Sequence, residues 1–485
     1  MRPSFQILGS ELCARIIAEA RLHLCTVGVT VQHPEFHRLA QEHGAQANSV
    51  NSQVIFTDDL ITTSLRNAVR GFCLYDRAGN KTHDFEAPET FFAPGSAALS
   101  LLDPETGEAR KPTTSDYIRY VKVVEGLPHL AAQATAFVPQ DIPEALSDAW
   151  RLYLSLVHGS KPVITGAFSA ATMRTMHELL VCARGSESAL REKPLAVFTC
   201  CPTTPLKWSP VGAQNLLDCA RAGIPVELVA MPLSGFTAPA TLTGTLIQHT
   251  VEILSGAVLA QLAAPGTPML YGTAATSFDV RFESTPSGAI ESMMLACGVT
   301  EIGHALGLPT QAYIGLSDAK AIDAQAGMET GSGATMAALA GINQVSGPGM
   351  LDFINCMSLE KLVVDNEACG MARRLGRGIE PKDDFPAAPL MQELLSEQHL
   401  LIAKHTRRHY RTEHYIPGPV IDRMSRARYA EESSPPLVER ARREVERLVS
   451  DPQTSPIADE TRRHMNEIMG AAAKHLGVSL PLELE

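Results

Sequence analysis

Near the N-terminus, Leu12, Ile16, Ile17, Ala20, Leu22 and Leu24 recur at helical spacing across residues 11–24 and predict an amphipathic helix. A tight turn follows at YDRAGN (75–80), where Gly79 and Asn80 tolerate the positive φ such turns require. From about residue 90 the pattern changes. Short apolar, β-prone runs at 90–92, 131–138, 162–165, 195–199, 225–230, 268–271, 310–314 and 342–345 alternate with longer helical patterns. Those helical patterns fall at 143–157, 170–182, 211–221, 241–264, 287–306, 324–338 and 359–374.

A parallel strand pair needs a helix-sized crossover, so strand-like runs that alternate with helices in this way predict a closed parallel barrel. The fold class is α/β: a (β/α)8 TIM barrel over 89–378, with mostly helical extensions at 1–88 and 379–485. A doubly wound open sheet is the alternative, but its GxGxxG turn is missing after the first strand.

Composition narrows the class. A chain of 485 residues that is 45% hydrophobic has ample material for a core. Its net charge of −12 disfavours nucleic acid, whose phosphates demand clustered Lys and Arg. Apolar windows such as 257–264 fall short of the roughly 20 residues of a membrane span, and the N-terminus has no signal-peptide stretch, so no membrane association is expected. The 10 cysteines contain no CxxC and lie mostly in apolar periodic segments, as core thiols in a reducing cytoplasm would. A homo-oligomer is also expected.

In such a barrel the chemistry belongs to the loops after the strands. The chain has only 2 Trp, 9 Tyr and 15 Phe, yet these loops hold Phe91, Phe92, Phe168, Trp208, Phe236, Tyr271, Phe278 and Phe353. Aromatic faces attract an ammonium by about 0.5 to 2 kcal/mol per contact, which suits a quaternary or protonated amine; a plain hydrophobic plug of the barrel mouth is the other reading. Phe92, Phe236, Tyr271, Phe278 and Phe353 are the aromatic substrate-binding candidates. In the loop GLSDAK (315–320), Asp318 is placed to offset a cation and Lys320 to hold a substrate carboxylate, unless the two simply pair within the loop. Lys207 and Arg281 are further carboxylate candidates.

No metal site is expected. His405 and His409 have the i, i+4 spacing of metal-binding histidines, but no Glu follows the first, Arg407 and Arg408 lie between them, and the segment is outside the barrel. Cys200 and Cys201 are adjacent and point in different directions in an extended segment. Neither a GxxxxGK[ST] phosphate loop nor a GxSxG elbow occurs.

The segments GPGMLDF (347–353), SLEKLVVDNEACGMARR (358–374), SDAKAIDAQAGME (317–329), SGAIESMMLACGVTEIGHALGLPT (287–310) and LLDPETGEARKPTTSDYIRYVK (101–122) resemble the trimethylamine methyltransferase family. The N-terminal stretch through GFCLYDRAGN is similar too, so the likeness spans nearly the whole chain. The resemblance implies a barrel mouth that accepts a methylated amine and the corrinoid (cobalamin) of a partner corrinoid protein, whose Co(I) takes the methyl group. It also implies corrinoid-facing positions, placed here at Ser317, Gly347 and Gly349. The DxHxxG signature of a corrinoid carrier is absent, so the cofactor is expected on the partner and not permanently bound. Pyrrolysine, found in family members acting on trimethylamine, is also absent, which resembles the branch using glycine betaine and other quaternary amines. A quaternary nitrogen leaves as a neutral amine without a proton donor, so no acid/base pair is required. Competing readings are a folate-linked methyltransferase, a Schiff-base aldolase built on Lys320, or a non-catalytic amine-binding protein.

Overall fold

The computed structural model describes residues 3–48, 50–451 and 457–480. Eight parallel strands form the barrel: β1 (Phe91–Ala93), β2 (Gln133–Ala134), β3 (Val163–Thr165), β4 (Ala196–Cys200), β5 (Val226–Ala230), β6 (Met269–Thr273), β7 (Thr310–Ala312) and β8 (Gln344–Ser346). β8 returns to β1 through Val345↔Phe92, and a parallel bridge from Phe92 to Leu130, ahead of β2, closes the ring. Every apolar run read from the sequence overlaps one of these strands.

A helix follows each strand: α1 (Thr114–Gly126), α2 (Ser147–His158), α3 (Ala170–Arg184), α4 (Pro210–Ala222), α5 (Leu242–Ala263), α6 (Ile290–Ala305), α7 (Ala324–Ala340) and α8 (Leu359–Gly376). Only α1 is missing from the periodicity reading. Its signal is the cap: Thr113 and Asp116 form a reciprocal capping box, which ties up two otherwise unpaired backbone N–H groups at the helix start.

Side chains alternate between the two faces of a strand, so the register assigns each one to the lumen or to the helical layer. Phe91, Ala134, Ile164, Val197 and Leu270 point inward and make one apolar cluster with Leu74 and Phe85. Those last two belong to, or directly follow, an antiparallel hairpin, Cys73–Tyr75 with Lys81–Asp84. The hairpin segment therefore plugs the N-terminal end of the barrel, and the lumen opens only where the strands end.

The N-terminal segment is stitched to the barrel. Helix Gly9–Thr26 packs on α5 and α6, and strand Val29–Val31 pairs in parallel with Lys207–Trp208 from the loop after β4. This covering explains α5, whose 22 residues are long and apolar enough to cross a membrane but are mostly buried within the protein. A helix packed on the barrel inside and on another helical layer outside has little solvent face to keep polar. The apolar stretch is thus longer than the windows noted in the sequence, and the packing accounts for it. At the other end of the chain, helix Leu437–Ser450 packs on α8 and α1, and Asp459–Leu476 on α3 and α2.

Candidate active site in the barrel lumen

Above the apolar plug the lumen becomes polar on one side. Thr199 (β4), Glu227 (β5), Gln311 (β7) and Gln344 (β8) fall on the inward register, as do Ser346 (β8) and Tyr313 just past β7. Small groups, Ala93 and Gly272, take the inward positions beside them on β1 and β6. Gly272 is required there: a Cβ at that position would lie 2.7 Å from the Leu228 carbonyl oxygen. The Thr199 hydroxyl donates to Glu227 Oε1 at 2.6 Å, and the hydroxyls of Tyr313 and Ser96 meet at 3.0 Å. Four lumen atoms, Glu227 Oε2, Gln311 Nε2, Gln344 Oε1 and Ser346 Oγ, make no hydrogen bond within the chain. Buried polar atoms without partners are costly, and four converging on one lumen mark a place prepared for a ligand or for water.

Access comes from the strand ends. Cys201 is exposed, while Ser96, Gly166, Thr199 and Tyr313 are partly exposed, and Glu227 lies fully buried beneath this ring. Burial pushes the Glu227 carboxyl up to about 7, with the Thr199 hydroxyl opposing. It therefore titrates near neutrality. Cys201 has surface at the mouth, but its thiol is packed about by the lumen residues; burial there, with Cys200 and Glu227 adding to it, pushes the thiol up to about 12, so it stays neutral. Cys200 turns the other way, into the helical layer beside Cys219. Clefts of about 400 and 500 Å³ lie beside helix Gly9–Thr26 and between α3 and helix Asp459–Leu476; both are on the outer surface and hold none of the lumen residues.

Most residues singled out from the loops lie elsewhere. Tyr271 is fully buried and faces outward: its ring lies 5.6 Å from His249 of α5 and against Gly303 of α6. Phe92 also points outward, into the core beneath the helices, because its strand neighbours Phe91 and Ala93 take the inward positions. Neither lines the mouth. Ser317 is buried with its hydroxyl on Glu329 at 2.6 Å. Gly347 and Gly349 are buried as well. A Cβ on Gly347 would lie 2.1 Å from the Ile314 carbonyl oxygen, and the Gly349 N–H donates to Asp365 at 2.7 Å. These three serve loop packing and present no surface to a partner's cofactor.

Lys320, Asp352 and Phe353 do come together, but with one another. The Lys320 ammonium sits 3.7 Å from the Phe353 ring centroid, pairs with Asp352 at 3.3 Å and donates to the Asp318 carbonyl at 2.8 Å. The cation on Phe353 is thus the chain's own, and an amine so held is a poor Schiff-base nucleophile. Asp318 accepts from the Gly288 N–H, and burial, opposed by that bond and joined by the Glu329 charge, raises its carboxyl to about 6. Arg281 pairs with Asp279. Lys207 is taken into the N-terminal sheet. Phe236 and Phe278 stack at 4.7 Å at the outer edge of the mouth, with Phe236 66% exposed.

The lumen residues lie inside the strands, outside the loops to which a barrel's chemistry is assigned from sequence. Their signal is nonetheless legible: VELVA and TQAYI place Glu227, Gln311 and Tyr313 at alternate positions inside otherwise apolar strands, where a charged or amide side chain needs a reason.

Comparison with known proteins agrees with this architecture. The family model described as trimethylamine methyltransferase (MTTB) matches residues 1–476. The chain belongs to that family. It is accordingly a methyltransferase, and the alternatives of an aldolase or a non-catalytic binding protein fall away. Family relatives include the trimethylamine methyltransferase of Desulfitobacterium hafniense (strain DSM 10664 / DCB-2), 26% identical over 94% of this chain and 91% of that one. The glycine betaine methyltransferase of D. hafniense (strain Y51) is 28% identical over 86% of each chain. The fold is similar to that of the monomethylamine methyltransferase of Methanosarcina barkeri, with a TM-score of 0.51 and 11% identity over 92% of this chain and 89% of that one.

Proposed function

We propose that the enzyme takes a methyl group from a small quaternary amine bound in the lumen and delivers it to the cobalt of a corrinoid carried by a separate protein. The observation that carries the amine assignment is Glu227, a buried carboxylate with one unpaired oxygen beneath an accessible ring of neutral side chains. Once ionised it supplies the countercharge for an ammonium, and the Tyr313 ring above it supplies an aromatic face. None of the inward positions on the strands is Lys or Arg. For a betaine, the carboxylate would therefore be received by neutral donors, the Gln311 amide and the Ser346 and Tyr313 hydroxyls.

The rim supports a docked partner. Leu99, Phe168, Phe236, Val280, Phe282 and Met328 are all more than half exposed and come from segments that follow different strands at the open end. Large apolar side chains gathered there fit a surface that another protein covers. Phe236 and Phe278 are accordingly read as rim residues facing the partner rather than as a substrate cage. A Co(I) corrinoid supplies the nucleophile that accepts the methyl carbon; the chain's own part is to orient the C–N bond and exclude water from the lumen. The nitrogen keeps the bonding pair as the methyl departs, so a quaternary donor leaves as a neutral tertiary amine and no side chain need donate a proton. The ten cysteines are all free thiols, in keeping with a reducing cytoplasm. Phe385, Leu395 and Leu401, strongly exposed outside the barrel, are in keeping with a homo-oligomer.

The test is a panel of methylated amines mixed with free cob(I)alamin and the enzyme, read by the change from the Co(I) to the methyl–Co(III) absorption spectrum. Turnover with a quaternary amine and little with trimethylamine supports the reading. Comparable turnover with trimethylamine overturns the quaternary assignment, and no methyl–cobalt from any amine overturns the function.

A further inference from the structure

The segment between α8 and helix Leu437–Ser450 buries little: Ala403 and Val420 are its buried apolar side chains. Neither helix Ala388–Glu397 nor helix Lys404–Glu413 buries a single residue. Segments that cannot bury enough apolar surface commonly rely on a cross-link, and metal ions are one such device. The second of these helices carries His405 and His409, the pair set aside on sequence grounds because no Glu follows the first, Arg407 and Arg408 lie between them and the segment is outside the barrel. The fold brings a third ligand to them.

The turn at Asp383 and Asp384 approaches the histidine face of the helix. Ligand atoms of Asp383, His405 and His409 all lie within 4.8 Å of one another. His405 Nε2 is 3.5 Å from Asp384 Oδ1 and 4.0 Å from Asp383 Oδ1, and His409 Nε2 is hydrogen-bonded to Asp383. Nitrogen and oxygen ligands about 2.0 to 2.1 Å from a tetrahedral zinc ion lie about 3.3 Å from one another, so the spacing here is already close to a zinc site. His405 Nε2 is inaccessible and faces the carboxylates, yet makes no hydrogen bond. The second oxygen of Asp383 is held by Arg408 at 3.0 Å, the kind of outer contact that orients a ligating carboxylate. The Lys382 ammonium is directed to Glu380 and Glu413, away from the cluster.

We propose that Asp383, His405 and His409, with Asp384 beside His405 as the nearest fourth donor, form a structural site for a divalent transition metal, zinc by donor set, that staples the 379–415 segment. Two histidines of one helix and a carboxylate from the turn before it tie two parts of the segment together, as a structural ion does. Its position agrees. α8 leaves the mouth and runs to the opposite end of the barrel, where Arg374 in its last turn donates to the Glu413 carbonyl at 2.6 Å. The site therefore lies away from the methyl-transfer lumen.

The experiment is calorimetric titration of zinc into the full chain after chelator treatment, for the wild type, His405→Ala, His409→Ala, Asp384→Asn and a His399→Ala control outside the cluster. Cobalt(II) replacement, read by the visible bands of a tetrahedral ion, provides a second measurement. Wild type and control should each bind one zinc per chain with the same affinity. The three cluster variants should lose about tenfold or more in affinity along with the tetrahedral bands, and zinc should slow proteolysis of the 379–415 segment only where the cluster is intact. Equal zinc affinity in the His405→Ala and His409→Ala variants, or a purely octahedral cobalt spectrum, overturns the proposal. So does the absence of saturable binding in the wild type.

Discussion

Replacing Glu227 by Gln probes the lumen most sharply, because the change keeps the size of the side chain and removes its charge. Glu227 is fully buried, receives a single hydrogen bond from Thr199 and titrates near 7. Two unit charges 4 to 5 Å apart at an effective dielectric of about 20 attract by about 3 to 4 kcal/mol. An ammonium spreads its charge over its methyl groups and the mouth is partly wet, so a loss of about 1 to 3 kcal/mol is expected, roughly 5- to 150-fold in Kd. Tetramethylammonium has no titrating group, so its affinity for the wild type should follow Glu227 alone. Binding should be weak below the Glu227 midpoint, rise as the pH passes through about 7 and then level off, while the Gln variant stays flat. Because the amine loses its charge as the methyl leaves, the carboxylate favours the ground state more than the transition state, and KM should suffer more than kcat. Calorimetric titration across this pH range is the assay. A pH-independent wild type, or a Gln variant with unchanged affinity, would refute the assignment of Glu227 as countercharge.

The same carboxyl makes a stability statement. Its folded value is raised from an ordinary 4.5 to about 7, so the folded state holds the proton longer and stability falls as pH rises through this window; Glu227→Gln should stabilise the protein above it by about 3 kcal/mol at most and have little effect at acid pH, read by thermal unfolding. Lys320→Ala should penalise glycine betaine and tetramethylammonium alike and only slightly, since Lys320 is committed to Asp352 and Phe353; a selective loss for betaine in steady-state kinetics would return Lys320 to the substrate site. Tyr271→Ala should cost about 3 to 5 kcal/mol in denaturant unfolding, the range for removing a large buried ring, and substrate affinity lost without any change in stability would contradict its place among the helices. Phe236→Ala combined with Phe282→Ala should weaken turnover with the corrinoid protein and spare turnover with free cob(I)alamin; equal effects on both would remove the rim from partner docking.

The barrel itself was readable because its strands are short apolar runs separated by helix-length patterns, and both signals are local. The site was less readable because direction is not local. Phe91 and Phe92 look equivalent as letters, but the pairing of β1 with β8 turns one inward and the other out. Tyr271 has the composition of a ligand-binding aromatic and the position of a core residue, for the same reason. Lys320 and Phe353 are chemically suited to opposite types of group, but the fold satisfies each with the other. Glu227 shows the converse: a carboxylate inside VELVA is improbable as packing, and its oddity within a strand carried more information than any loop aromatic.

The central claim is that a methyl group passes from an amine held over Glu227 to cobalt, and single turnover with isotopically labelled substrate tests it most directly. Enzyme, cob(I)alamin and a quaternary amine with carbon-13 in its methyl groups are mixed, and the products are followed by NMR. The account expects the label on cobalt and one equivalent of the demethylated tertiary amine, with substrate saturation shifted to higher concentration by Glu227→Gln and by Tyr313→Ala. Label that stays on the amine, or transfer to cobalt with the same substrate dependence in both variants, would contradict it.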